Sequence, residues 1–213
     1  MVACILIVVA AYFLGSIPTG YLVARAKGVD IRTVGSGNIG ATNAMRVLGK
    51  PAGIAVLLLD ALKGFAAVAW LCPGLLKLFS EPAVGIEMIR ILAGIAAVLG
   101  HNFTCWLKFK GGKGIATTGG VYLALAPLAV AVALAAFLLA VLLTRYVSVG
   151  SIAAAIALAA TVWCLPEHPL LLGGVTTALC LMAIYKHKSN IKRLVAGTES
   201  RIGQKPEIQE ATK

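Results

Sequence analysis

Residues 115–143 read I-A-T-T-G-G-V-Y-L-A-L-A-P-L-A-V-A-V-A-L-A-A-F-L-L-A-V-L-L, and the way this apolar stretch folds decides the topology of the chain. It carries no charge and has Pro127 inside it. Since a bilayer core needs about 20 apolar residues as a helix, the stretch is either one long span or a hairpin of two shorter helices. Proline removes a helix hydrogen bond and restricts the residue before it, which places the break of a hairpin at residues 125–127.

The positions of the basic residues decide between these two topologies. The other stretches that suit a span are residues 2–23, 51–71, 89–107, 147–165 and 169–185. If the basic loops and the C-terminal segment face the cytoplasm, sixteen of the nineteen Lys and Arg are inside, as the positive-inside rule requires. Lys113 and Arg145 are then on the same side, so residues 115–143 cross twice. The sequence therefore predicts an all-α polytopic membrane protein with seven transmembrane helices, its N-terminus outside and its C-terminus cytoplasmic.

The composition excludes several classes of protein. The chain is 60% hydrophobic and 13% charged, which is unlike a soluble domain of 213 residues. A net charge of +11 would indicate a nucleic-acid partner only if the basic residues formed one face of a soluble domain. The five cysteines match no metal or redox spacing, and eight Asp and Glu leave few ligands for a metal site. We expect one integral-membrane domain over residues 1–200, a polar tail over residues 201–213, and neither metal nor nucleic acid.

Two glycine-rich polar segments interrupt the apolar pattern. Residues 35–46 read G-S-G-N-I-G-A-T-N-A-M-R, and residues 108–114 read K-F-K-G-G-K-G. Glycine lets backbone N–H groups approach a ligand closely, and hydroxyl, Arg and Lys groups add donors and charge, so both segments suit a phosphate. Neither has the spacing of a dinucleotide fingerprint or a P-loop. The alternatives are a capped turn for the first segment and a topology signal for the second.

The predicted topology brings further polar groups to the inner membrane face, including residues 148–151. His187 and Asn190 are three residues apart and share a face if the last helix continues past Tyr185. The alternative is a polar helix end beside lipid-facing lysines. For His101 we expect a structural hydrogen-bonding role in preference to a catalytic one, and His168, in an outer turn, is expected to be incidental.

Two further features lie inside the predicted spans. Asp60 and Lys63 are at i and i+3, so they can form an ion pair within the membrane. Intramembrane ionisable residues are functional candidates by default, but we favour structural support for this pair. Residues 16–20 are expected to kink the first helix near its inner end.

Some catalytic chemistry is excluded by missing motifs. No His is followed five residues later by Asp, so the acid/base pair of common acyl-CoA acyltransferases is absent. The aspartate-rich metal signature of CDP-alcohol phosphotransferases is missing as well. An enzyme with this sequence is expected to use cations, hydroxyls and backbone donors in place of a carboxylate base or a metal.

Taken together, the polar motifs resemble those of the bacterial acyl-phosphate-dependent glycerol-3-phosphate acyltransferases, the PlsY family. The similar segments are residues 35–46, 100–114, 145–151, 187–191 and 197–199. The resemblance implies a seven-helix enzyme of the bacterial inner membrane with a site that opens to the cytoplasm. It implies transfer of an acyl chain from acyl phosphate to the 1-hydroxyl of glycerol 3-phosphate, the first step of phospholipid synthesis. The products are lysophosphatidic acid and phosphate.

The resemblance also implies a set of site residues. Those implied to be catalytic are Ser36, Arg46, Lys113, His187 and Asn190. Those implied to bind substrate are Gly37, Asn38, Gly40, Ala41, Thr42, Asn43, Gly111, Gly112, Gly114 and Ser151. Their roles are binding and charge stabilisation, with no cofactor, no metal and no covalent acyl-enzyme, and the donor's own phosphate takes the proton of the attacking hydroxyl. The implied partners are the two substrates, membrane lipid and an upstream enzyme that forms the acyl phosphate.

Within this set we expect a division between the two substrates. Ser36, Thr42, the loop amides and Lys113 are assigned to the acyl phosphate and the transition-state oxygens. Assigned to glycerol 3-phosphate are Arg46, His187, Asn190 and residues 111–114. Glu199 is expected to be structural, paired with a nearby basic residue, and the apolar helices are expected to take the acyl tail between them.

Two other functions fit part of the pattern. A membrane transporter of phosphate or glycerol 3-phosphate would also need glycine-rich anion sites, but transporters tend to have internal repeats and binding elements at mid-membrane. Here the motifs gather at one face and no repeat is visible. A membrane scaffold without a small-molecule site leaves the glycine-rich loops unexplained.

Overall fold

The computed structural model describes residues 1–79, 85–165 and 170–203, and the regular structure in these ranges is helical. The helices there are α1 (Val2–Ser16), α2 (Thr19–Arg25), α3 (Ala41–Leu48), α4 (Lys50–Ala66), α5 (Cys72–Leu76), α6 (Ile86–Asn102), α7 (Ile115–Leu125), α8 (Pro127–Thr144), α9 (Val147–Cys164), α10 (Leu170–Lys186) and α11 (Lys188–Val195). A π-helical turn, Ala67–Leu71, joins α4 to α5, and a 3-10 turn, Cys105–Leu107, follows α6. His168 and residues 204–213 of the predicted tail lie outside the described residues.

Five segments of the described chain are long and apolar enough to cross a membrane. They are Val2–Arg25, Lys50–Leu76, Ile86–Leu107, Pro127–Thr144 and Val147–Cys164. A sixth is obtained if α10 and α11, which are bent by 53° relative to each other, are one broken span. The all-helical membrane architecture is therefore confirmed, with five to six long spans among the described residues.

The break inside residues 115–143 lies where proline predicts it. α7 ends at Leu125 and α8 begins at Pro127, with Ala126 between them in a non-helical conformation (φ −150°, ψ 72°). α8 has 18 residues, whereas α7 has only 11. At about 1.5 Å per residue α7 is about 16 Å long, against a bilayer core of about 30 Å. The short helix α7, together with α10 when it is not counted with α11 as one span, accounts for the difference between the predicted seven spans and the five to six long spans observed.

The first span is also broken as predicted. α1 ends at Ser16 and α2 begins at Thr19, so residues 17 and 18 interrupt the helix. A Cβ at Gly20 would lie 1.8 Å from the carbonyl oxygen of Ile39, which shows how closely the loop after α2 folds back onto it. This packing brings the first glycine-rich segment against the C-terminal end of the first span.

Small residues allow the helices around the second glycine-rich segment to approach closely. A Cβ at Gly64 would lie 2.2 Å from the carbonyl oxygen of Thr117, and one at Gly120 would lie 1.8 Å from that of Ala61. α4 and α7 are therefore in backbone contact, a common packing mode of membrane helices. Because α7 starts directly after Gly114, this contact fixes one end of the loop that carries Lys113.

Candidate active site

A polar cluster joins the second glycine-rich segment to α11. The Nζ of Lys113 donates a hydrogen bond to Oδ1 of Asn190. The Nδ2 of Asn190 donates in turn to Oε1 of Glu199 over 2.6 Å. Because a cation holds one end of the amide and a carboxylate holds the other, the orientation of Asn190 is fixed.

Glu199 is the centre of this cluster. Besides the amide of Asn190, its carboxylate accepts hydrogen bonds from Oγ of Ser148 at 2.9 Å and from Nε of Arg193 at 2.7 Å. Burial alone would raise the pKa of Glu199, but the hydrogen bonds from Asn190, Arg193 and Ser148 outweigh it and lower the pKa. Glu199 is therefore a carboxylate that ties α9, α11 and the segment after α11 together. The pairing with a basic residue expected from the sequence is confirmed, and its partner is Arg193.

Lys113 is half-buried, and its charge is set by its surroundings. Burial lowers the pKa of its ammonium group to about 8, Glu199 acts to raise it, and Arg193 and Arg46 lower it. The influence of Arg46 shows that α3 brings this guanidinium within electrostatic reach of Lys113. Two cations from the two glycine-rich segments thus face one region.

His187 lies at the bend between α10 and α11. The last long helix continues past Tyr185 only to Lys186, and α11 starts at Lys188 after a 53° bend. The Nδ1 of His187 lies 2.8 Å from the carbonyl oxygen of Ala183. A carbonyl only accepts, so Nδ1 carries the proton and Nε2 of the neutral ring is an acceptor. Burial, followed by the charge of Lys113, lowers the pKa of His187 to about 4, so the ring is neutral at physiological pH.

The first glycine-rich segment is held in shape by Asn43. Its Oδ1 accepts the backbone N–H of Ser36 at 2.8 Å, and its Nδ2 donates to the carbonyl oxygens of Ile31 and Val34. Gly35 has φ +60°, and a Cβ there would lie 2.3 Å from Oδ1 of Asn43. The buried amide of Asn43 therefore shapes this loop, and its predicted binding of substrate stays a prediction.

The start of α3 presents groups that suit an anion. Gly40 is its N-cap and donates its own N–H to Oδ1 of Asn38 at 2.9 Å. The first-turn N–H groups of a helix, here those of Ala41 and Thr42, have no partner within the helix and favour negative charge. Ser36 and Thr42 are exposed beside this helix start. Gly37 closes the preceding turn, with φ +68° and its N–H donating to the carbonyl oxygen of Val34.

The glycines of the second segment pack closely against the end of α6. The N–H groups of Gly111 and Gly112 donate to the carbonyl oxygens of Asn102 and His101, at 3.2 and 3.1 Å. A Cβ at Gly112 would lie 2.2 Å from Nε2 of His101, and one at Gly114, where φ is +82°, would lie 2.7 Å from Oδ1 of Asn102. These glycines let the loop pack onto the end of α6, and the predicted binding of substrate by Gly111, Gly112 and Gly114 stays a prediction.

Ser151 and its neighbour Ser148 have different surroundings. The hydroxyl of Ser151 is buried and donates to the carbonyl oxygen of Val147, one turn back in its own helix. Ser148, one turn earlier on α9, is the serine that contacts Glu199. The structure therefore brings together Arg46, Lys113, His187 and Asn190, whereas the contacts of Ser36 and Ser151 are local. The hydrogen bond between Lys113 and Asn190 also joins two residues that were assigned to different substrates.

An apolar cavity of about 230 Å³ opens beside the cluster. Its lining comes from α4, α7, α8, α9 and α10 and includes Leu57, Ile115, Thr118, Leu134, Phe137 and Ala183. Ile115 is two residues from Lys113, and Ala183 is the residue whose carbonyl holds the ring of His187. The cavity is therefore lined by residues that neighbour the polar cluster along the chain, and it lies among apolar helices.

No three His, Cys, Asp or Glu side chains come together in a way that could hold a metal ion within residues 1–79, 85–165 and 170–203. Two residues of the cluster, Ser148 and Arg193, are not among the predicted site residues, although Ser148 lies in the polar segment 148–151 noted in the sequence. The signal that could have found them is Glu199, because a carboxylate in a chain with few acidic residues needs buried donors.

Comparison with known proteins identifies the family. A family model described as glycerol-3-phosphate acyltransferase matches residues 5–197. The chain belongs to this family. Among its relatives is the glycerol-3-phosphate acyltransferase of Geobacter sulfurreducens, 50% identical over 92% of this chain and 96% of the relative. The resemblance inferred from the motifs is thereby confirmed, and the chain is an acyltransferase.

Two crystal structures of one integral membrane glycerol 3-phosphate acyltransferase, PlsY (YgiH), share the fold of this acyltransferase. The glycerol 3-phosphate form matches with a TM-score of 0.83 and 38% identity, over 94% of this chain and 96% of the other. The lysophosphatidic acid form matches with a TM-score of 0.80 and 38% identity, over 94% and 95%. The acyltransferase family gives the transporter and scaffold alternatives no support.

Proposed function

We propose that this acyltransferase moves an acyl chain from acyl phosphate to the 1-hydroxyl of glycerol 3-phosphate, producing lysophosphatidic acid and phosphate. The family supports the acceptor, since the relative PlsY (YgiH) is described in a glycerol 3-phosphate form and a lysophosphatidic acid form. The observation that carries the proposal is the junction of the polar cluster with the apolar cavity. A substrate with an anionic head and a long apolar tail fits a site where Lys113 stands two residues from the cavity lining.

The cluster is suited to hold two phosphate groups against their mutual repulsion. Lys113 and Arg46 supply positive charge, and Ser36, Thr42 and the start of α3 supply hydrogen-bond donors at the other side of the site. Positioning two reactants and preorganising charge around them can account for a large part of the rate of such a reaction. We therefore propose a binding and charge-stabilising role for these residues.

The reaction is proposed to need no covalent acyl-enzyme. The 1-hydroxyl oxygen attacks the acyl carbonyl carbon, the bond between that carbon and the phosphate oxygen breaks, and the hydroxyl proton passes to the departing phosphate. Acyl phosphate is an activated mixed anhydride, so its leaving group needs little assistance. Neutral His187 presents Nε2 as an acceptor that can orient the hydroxyl, while Asn190 holds Lys113 in place.

We also propose that the short helix α7 crosses the membrane together with α8, giving seven spans. The outside N-terminus, the cytoplasmic C-terminus and the bacterial plasma membrane belong to this proposal, as does a site that opens to the cytoplasm. It is supported by the proline break between α7 and α8 and by the positive-inside distribution of Lys and Arg. An apolar α7 packed on α4 at backbone distance fits this path.

The test is a reconstituted assay. Purified protein in detergent is given palmitoyl phosphate and glycerol 3-phosphate, with a chelator and without added metal, and lysophosphatidic acid and phosphate are measured. We expect both products in equal amounts from the wild type, and Lys113→Ala and Arg46→Ala are each expected to lose at least about 100-fold in kcat/KM. Lys110→Ala is the matched control, since Lys110 is exposed in the same loop.

Two results would contradict the proposal. If the folded wild type forms no product, or forms equal amounts from acyl-CoA and acyl phosphate, the proposed donor is wrong. If Lys113→Ala and Arg46→Ala retain near-normal rates, the assignment of the site is wrong.

A further inference from the structure

A second group of ionisable side chains is buried between α4 and α6, outside the cluster of Lys113. The Nζ of Lys63 lies 2.8 Å from Oδ1 of Asp60, which confirms the predicted ion pair, and Nδ1 of His101 lies 3.5 Å from the same oxygen. All three side chains are at most 5% exposed. Ionisable groups at this depth are costly to bury and are retained where they hold something in place or act on a ligand.

The pair is joined to the break in the first span. The Nζ of Lys63 donates to the carbonyl oxygen of Ile17 at 2.8 Å, and the hydroxyl of Thr19 donates to Oδ1 of Asp60 at 2.5 Å. These two groups flank Pro18, which has no N–H of its own and interrupts the helix. The ion pair therefore fixes the break between α1 and α2 to the middle of α4.

On its other side the group meets the loop of Lys113. The carbonyl oxygen of His101 accepts the N–H of Gly112 at 3.1 Å, and Nε2 of the ring occupies the space that a Cβ of Gly112 would need. The imidazole is thus enclosed between the carboxylate of Asp60 and the backbone next to Lys113. This enclosure keeps the ring from a substrate, so it does not act as an acid or a base.

We propose that His101, whose ring lies between Asp60 and Gly112, is a positioning residue that sets the conformation of the loop and hence the place of Lys113. The Asp60–Lys63 pair gives the ring a fixed support because it is itself bound to Thr19 of α2 and to the carbonyl oxygen of Ile17 at the first-span break. The inference rests on the proposed function, since it assigns Lys113 a place in that reaction. The buried ion pair of Asp60 and Lys63 then supports the ring of His101 in addition to joining helices.

The experiment uses the fit between the ring and Gly112. Gly112→Ala puts a methyl group onto the imidazole, and we expect kcat to fall about 100-fold, as for a displaced catalytic group, while the protein remains folded. Adding His101→Ala removes the ring that the methyl group meets, so the double variant should recover at least about tenfold in kcat over Gly112→Ala. If the double variant does not fold, His101→Asn replaces it, because its smaller side chain also clears the space.

Gly111→Ala is the matched control. Its Cβ would lie 2.0 Å from the backbone carbonyl oxygen of His101, so removing the side chain cannot relieve it and no recovery is expected. Gly174→Ala, where a Cβ meets nothing within 4 Å, controls for a glycine change in a helix and should keep wild-type kcat. Thermal unfolding of every variant is measured, and kcat is calculated per folded molecule.

The outcomes separate the inference from the proposed function. Recovery in the double variant with Gly112→Ala, but not with Gly111→Ala, supports the positioning role. Two results overturn the positioning role while the wild type still makes product. One is a wild-type kcat in folded Gly112→Ala. The other is a double variant whose kcat is lower than that of Gly112→Ala. A wild type without acyl transfer overturns the proposed function, and the inference with it.

Discussion

At the scale of single residues, the protonation of Lys113 links the structure to a pH profile. Burial, together with Arg193 and Arg46, lowers the pKa of its ammonium group to about 8, against the raising effect of Glu199. A lysine is charged below its pKa, so kcat/KM for acyl phosphate is expected to fall as pH rises through about 8.

Lys113→Arg separates this charge from other titrations. Arginine stays protonated throughout the range, so the variant should be slower but should not show the fall near pH 8. The measurement is kcat/KM from about pH 6 to about pH 10, corrected for spontaneous hydrolysis of the donor. A fall at the same pH in both proteins would assign it to another group.

Asn190 gives a second residue-scale prediction. Its Nδ2 lies 2.6 Å from the carboxylate of Glu199, so Asn190→Asp sets two carboxylates against each other and removes a donor. We expect kcat/KM to fall at least about tenfold and the melting temperature to fall as well, because a buried acceptor loses its partner. Ser189→Asp adds the same charge at an exposed position of α11 and is the control. Equal effects of both changes would contradict the geometry.

Lys113, His187 and Asn190 could be predicted from the sequence because motif position and charge identify them. Their arrangement around Glu199 could not, since Ser148 is 51 residues from Glu199 and nothing local in the sequence brings them together. The packing of the glycines in the second segment could not be predicted from the sequence either. A bare backbone serves close packing and ligand contact equally well, and only the fold shows that Gly112 faces His101.

At the scale of helices, the contact between α4 and α7 predicts which glycines tolerate a methyl group. A Cβ at Gly120 would lie 1.8 Å from the carbonyl oxygen of Ala61, whereas one at Gly119 meets nothing within 4 Å. Gly120→Ala should therefore force the helices apart and cost about 1–3 kcal/mol, and Gly119→Ala should be neutral or slightly stabilising. Thermal unfolding in one detergent compares them, and equal melting temperatures would show that α7 does not pack on α4 in this way.

The helix breaks have two different causes. Some are set by proline in the sequence, and one is set by contacts that form only in the folded chain. Pro18 and Pro127 interrupt helices because the ring cannot donate a hydrogen bond, and both breaks were predicted. The bend at His187 carries no such signal. It depends on the ring bonding to Ala183 and on Asn190 being drawn to Glu199, which are contacts made only in the folded chain.

At the scale of the whole molecule, the basic residues are distributed unevenly along the chain, and this distribution bears on the orientation of the protein in the membrane. Most Lys and Arg lie in the loops and the C-terminal segment that the proposed topology places inside, next to the proposed site for two anionic substrates. The same charges can therefore direct insertion and attract substrate.

The class of fold was predictable because long apolar segments have no other stable arrangement in lipid. The number of crossings was not, because it depends on whether α7, at 11 residues, traverses the bilayer.

Cysteine accessibility tests that number directly. Lys110 and Arg145 flank α7 and α8, so they lie on one side of the membrane if both helices cross and on opposite sides if only α8 does. In a variant without native cysteines, Lys110→Cys and Arg145→Cys should both react with a membrane-impermeant thiol reagent only after cells are permeabilised. Lys77→Cys, on the far side of the span Ile86–Leu107, should react in intact cells and is the control. Reaction of Arg145→Cys in intact cells would show that α7 does not cross, and the reverse pattern at all three positions would invert the orientation.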